Sequence, residues 1–82
     1  MRGFFMMSEA EWADRAKGIL KAEIKRRNLT YAELAERLDA IGVKEAPDNI
    51  NNKIARGKFT FVFSLQCLTA LECTVLHLET RS

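Results

Sequence analysis

The sequence predicts an all-α domain of four or five short helices, and three observations carry that prediction. Two capping boxes, Ser8 with Glu11 and Thr30 with Glu33, mark helix starts, because each pair lets side chain and backbone satisfy one another's donors. Apolar residues then recur at three- and four-residue spacing. Asn28, Gly42, Pro47 and Gly57 punctuate those stripes where helices stop or begin. With 82 residues, 48% of them apolar and 29% charged, the chain can bury one small core and has no room for a second domain.

Trp12, Ala16, Ile19, Leu20 and Ile24 place the first helix at about 9–27, ended by Asn28, a residue that tolerates the left-handed conformation. Leu34, Ala35, Leu38 and Ile41 supply the stripe of a second helix at about 31–40, stopping at Gly42. Pro47 suits a first helical turn, and Ile50 and Ile54 share one face before Gly57, which gives a third helix at about 47–56. Thr60 caps a fourth at about 61–72, apolar over more than half its circumference and therefore expected to be the buried centre. The following Thr74 to Glu79 stretch is β-prone but short, with nothing in the chain to pair with except a second copy. Residues 1–7 read as an apolar tail ahead of a single domain over 8–82.

No apolar run approaches the ~20 residues of a membrane span, and the start Arg2 to Met7 is too short for a signal-peptide core, so a cytoplasmic location and no membrane partner are expected. Two cysteines cannot build a disulfide framework; Cys67 reads as a buried core thiol. Cys67, Cys73 and His77 fit no zinc spacing, no phosphate-binding glycine loop exists, and no nucleophile has an evident base. Neither an enzyme, a metal, a cofactor nor a small-molecule substrate is expected. Trp12, Phe59, Phe61 and Phe63 read as core and not as a base-stacking platform.

The net charge of +2 hides an uneven distribution. Arg15 to Arg27 holds six basic residues against Glu23 alone, Lys53 to Lys58 three basic residues and no acid, and the segment between them is acid-rich. With Ile50 and Ile54 turned inward, Asn49, Asn52, Lys53 and Arg56 form one outward stripe on the third helix, flanked by Asn51 and free of carboxylates. Asn reads adenine bidentately, Arg reads guanine, and Lys binds guanine or phosphate. Lys17, Lys21 and Lys25 repeat every four residues on the first helix; phosphate binding and a simple solvated face account for them equally well.

Leu34-Ala35-Glu36-Arg37-Leu38 after Asn28-Leu29-Thr30-Tyr31, then Ile54-Ala55-Arg56-Gly57-Lys58 and Ala70-Leu71, resembles the lambda-repressor-like (Cro, XRE-type) helix-turn-helix domains over about residues 19–73. Within that class the chain is similar to a group of short bacterial proteins of uncharacterised function. The resemblance implies a compact four- to five-helix fold, with the third helix in the major groove of double-stranded DNA and Thr30 and Tyr31 near a backbone phosphate. Ile41 to Ala46 makes the turn between helices two and three longer than the motif's three or four residues, which shifts the expected docking angle.

The expected function is sequence-specific DNA binding by a small transcriptional regulator. Asn49, Asn52, Lys53 and Arg56 would touch bases, and Arg26, Arg27, Thr30, Tyr31 and Lys58 would hold phosphates. A homodimer on a two-fold site is expected, joined through Phe4 to Met7 or Val75 to Leu78. The alternative is a helix-turn-helix-fold interaction module that binds another protein, such as a toxin-like partner or a nucleoid component.

Overall fold

The computed structural model describes residues 7–76 and 78. Four α-helices follow one another: α1 (Glu9–Arg26), α2 (Tyr31–Ala40), α3 (Pro47–Arg56) and α4 (Phe61–Ala70). Among the described residues there is no strand, and no helix is long and apolar enough to cross a membrane. Thr74, Val75, Leu76 and Leu78 are irregular; His77 and Glu79, and all of the tail call on residues 1–7 except Met7, lie outside the described residues.

Both capping boxes form. Ser8 Oγ accepts from Glu11 N and Thr30 Oγ1 from Glu33 N, while each glutamate accepts the cap residue's own N–H at 2.8 Å. Thr60 caps α4 through Phe63 N at 3.0 Å. Ala46 offers α3 no side-chain cap, and Pro47 starts that helix without needing a donor.

Three helices end in the same way. After α1 the N–H groups of Asn28 and Leu29 bond to Lys25 O and Ile24 O; after α2 those of Gly42 and Val43 bond to Asp39 O and Leu38 O; after α4 those of Glu72 and Cys73 bond to Thr69 O and Leu68 O. Each is a Schellman motif around a left-handed residue, with φ 57° at Asn28, 87° at Gly42 and 58° at Glu72. The residue after the turn, Leu29, Val43 or Cys73, folds back onto the core. Glu72 therefore stops α4 two residues before the expected 72, by a conformation that its side chain does nothing to advertise.

Leu34, Leu38, Ile50, Ile54 and Cys67 are fully buried, with Leu20, Ile24, Phe63, Ala70 and Leu71 around them. α2 packs on α3 and α4, and α1 packs on α3. Gly57, at φ 70°, ends α3 directly against the Ala13 carbonyl of α1.

The expectation that α4 is the buried centre is corrected. Phe63, Cys67 and Ala70 face inward, but Phe61 is 76%, Val62 63% and Leu65 53% exposed. No described element covers that side, so a helix apolar over more than half its circumference is dry on one face only. Phe61 and the exposed Trp12 are likewise not core residues. Trp12 carries the Arg15 guanidinium 5.7 Å from its ring centre.

Candidate nucleic-acid interface

α3 is held by Ile50 and Ile54, so the opposite side faces solvent as the spacing requires. Asn49, Asn51, Asn52 and Arg56 are exposed, and no hydrogen bond or ion pair engages them among the described residues. Lys53 differs. Its ammonium lies 2.6 Å from a Glu45 carboxylate oxygen and 4.9 Å from the centre of the Phe63 ring, drawn back along α3 toward α4. Glu45 belongs to the long α2–α3 connection and is largely buried, so the additional loop residues bring a carboxylate to the edge of a stripe that has none of its own.

The arginines at the end of α1 divide in a comparable way. Glu23 is buried, and its carboxylate accepts from Arg26 Nη1 at 3.0 Å and from Arg27 Nη1 at 2.7 Å. Burial pushes the Glu23 carboxyl up, but the Arg27 hydrogen bond and the charges of Arg26 and Arg27 outweigh it, leaving the pKa below the usual carboxylate value. Arg27 also donates to Leu71 O at 2.8 Å, and Arg37 of α2 reaches Ala70 O at 3.5 Å. α4 has no basic residue in its own last turn, so cations from two other helices satisfy its C-terminal carbonyls. Arg27 thus joins α1 to α4, whereas Arg26 keeps more than half its side chain in solvent.

Thr30 and Tyr31 begin α2 beside a groove of about 430 Å³ lined also by Lys21, Ile24, Lys25, Asn28 and Leu29. Tyr31 is half-buried there, and desolvation raises its phenol pKa. The N–H groups of the first helical residues point out of a helix start and favour an anion. Glu33 supplies some negative charge at that point through the capping box.

Lys17 donates to Ala55 O, the end of α3, at 3.4 Å and lies 3.9 Å from Asp14. The lysine row of α1 therefore runs from the last turn of α3, through Lys17 and Lys21, to Lys25 at the first turn of α2. Arg56 and Lys58, both exposed, flank the α3 end of that row. Lys21 and Lys25 are the functional candidates that the sequence alone left balanced; only their placement at the start of α2 separates them from Lys17, which serves the α1–α3 contact.

Residues 12–76 match the family model described as a domain of unknown function, DUF6471. The chain belongs to that family. The DUF6471 match takes in every site residue named above and nearly all of the helical structure, omitting only the first turn of α1. No curated protein and no solved structure matches the chain. The two cysteines of this DUF6471 domain take structural positions. Cys67 is fully buried, its thiol pushed up to about 12 chiefly by desolvation, and Cys73 Sγ donates to Val75 O at 3.3 Å. No group of three His, Cys, Asp or Glu residues is placed to hold a metal ion among the described residues.

Proposed function

We propose that this chain is a double-stranded-DNA-binding domain of the lambda-repressor-like helix-turn-helix class, acting as a small transcriptional regulator. The observation that carries the reading is the continuity of polar and basic groups: the solvent-facing Asn49, Asn52 and Arg56 of α3 next to a lysine row that starts at Lys17, bonded to the end of α3, and ends with Lys21 and Lys25 at the start of α2. Asn49, Asn52 and Arg56 read base edges in the major groove. Lys21, Lys25, Arg26, Lys58 and the Thr30–Tyr31 helix start hold phosphates on either side. Lys53 and Arg27, bonded within the fold, contribute little directly.

The test is binding to random duplex DNA at several salt concentrations, followed by selection of preferred sites. Asn52→Ala or Arg56→Ala should cost about 1–3 kcal/mol on a selected site and relax its preference. Lys25→Ala or Lys58→Ala should weaken all duplexes alike and flatten the salt slope by about one unit. Absence of duplex binding at low salt rejects the reading.

The second reading, a helix-turn-helix-fold module that binds another protein, is favoured by one observation, the exposed apolar side of α4. It predicts a stable complex with a different protein and no preferred DNA site.

A further inference from the structure

We propose that the outer face of α4, Phe61, Val62 and Leu65, together with the groove that runs from Phe61 to Ile19 and Leu76, is the contact face of a homodimer. It deepens the expectation of a two-fold assembly that accompanies the DNA reading and moves the contact onto a helix. Its readout is mass, so it can fail while α3 still binds duplex, and hold where α3 does not.

Three observations select a second copy as the occupant. The first is charge. Charged residues make up 29% of the chain, yet Phe61–Ala70 contains none. In a two-fold contact the residues near the axis meet their own copies, where any charge would meet its like. A neutral face avoids that repulsion and offers a strongly charged partner nothing to pair with.

The second is polar satisfaction. The hydroxyls of Ser64 and Thr69 donate back to Thr60 O at 3.2 Å and Leu65 O at 2.8 Å. Drying this side of the helix therefore strands neither hydroxyl donor, which removes the main cost of burying hydroxyl-bearing surface.

The third is area. Phe61, Val62, Leu65 and Leu76, with Val75 and Leu78 flanking Leu76, expose on the order of 400 Å² of apolar surface. At the roughly 60% apolar share of an ordinary interface this corresponds to ~700 Å² per copy, close to the ~800 Å² that a stable complex buries on each side. The groove supplies relief for that contact: about 160 Å³ between α1 and α4, lined by Ile19, Phe59, Phe61, Leu68 and Leu76 and almost wholly apolar.

Sedimentation equilibrium of the intact chain over a concentration series, beside Leu65→Glu and Val62→Lys, tests the assignment. Both positions are more than half exposed, so the fold tolerates a charge there, and circular dichroism confirms that each variant keeps its helices. The expected result is a wild-type dimer whose dissociation constant rises at least ~30-fold in either variant. If Leu65→Glu loses helix content, Val62→Lys alone decides. A wild-type chain that stays monomeric at high micromolar concentration overturns the proposal. So does a dimer that both folded variants leave intact, since the contact then lies elsewhere, and so does a wild-type monomer that forms a stable complex only with a different protein.

Discussion

Replacing Gly57 by Ala tests how α3 is set against α1. Gly57 has φ 70°, and a Cβ built on it would overlap the Ala13 carbonyl oxygen and lie 2.8 Å from the carbonyl carbon. Left-handed backbone costs a non-glycine residue about 1–2 kcal/mol, partly offset by the ~0.4–1 kcal/mol that alanine removes from unfolded-chain entropy. Gly42, at φ 87° with no heavy atom near its Cβ position, isolates that backbone component, so Gly42→Ala should cost about 1 kcal/mol. Gly57→Ala carries the same component plus the overlap. Because the obstructing atoms are backbone, they cannot swing aside, and α1 must shift along much of its length. Overpacking of this kind costs about 1–3 kcal/mol more, bringing the total to roughly 2–4 kcal/mol. For a chain this short each kcal/mol lowers Tm by about 4–8 °C, so the drop is about 8–32 °C. Thermal melts by circular dichroism compare the two variants with Gly18→Ala, which has open space around it within α1 and should gain up to ~1 kcal/mol. If Gly57→Ala melts together with Gly42→Ala, the close approach of α3 to α1 does not hold in solution. The same displacement tilts α3, so under the DNA reading duplex affinity should fall even at temperatures where the variant remains folded.

Glu72→Gly should stabilise the chain by about 0.5–1 kcal/mol, read as a higher Tm, because glycine adopts φ 58° without the steric penalty that glutamate bears. Glu23→Gln should cost on the order of 2 kcal/mol at neutral pH, less than a fully buried pair because Arg26 is largely solvated. Since the folded pKa of Glu23 is depressed, its contribution is complete above the ordinary carboxylate range and is lost as pH falls through the folded value. Denaturant melts of wild type and Glu23→Gln should therefore converge as pH falls below the ordinary carboxylate range and through the depressed folded value, and a constant gap across the acid range would rule this out. Glu45→Gln should tighten duplex binding by freeing Lys53, and Lys53→Ala should cost less affinity than Arg56→Ala; anisotropy titrations giving equal losses would show that the Lys53–Glu45 pair opens on DNA.

The local sequence determined where all four helices begin and which residues α2 and α3 bury. Ser8, Thr30, Pro47 and Thr60 act within one turn of their own positions, and the spacing of Ile50 and Ile54 or Leu34 and Leu38 depends only on helical period. The exposed stripe of Asn49, Asn52 and Arg56 follows from the same period. Tertiary structure decided the rest. A helix apolar over more than half its circumference carries little direction in its sequence, so the packing of α2 on one side of α4, with no described element on the other, separates Phe63 from Phe61. The end of α4 at Glu72 rests on a backbone angle that the side chain disfavours and that the Schellman bonds and the folded-back Cys73 hold in place. Which cations stay available was decided over distance as well: Lys53 by a carboxylate in the α2–α3 connection, Arg27 by the carbonyl of Leu71, and Lys17 by that of Ala55. A charge is written in the sequence, but its freedom to meet a partner depends on what the fold has already placed beside it.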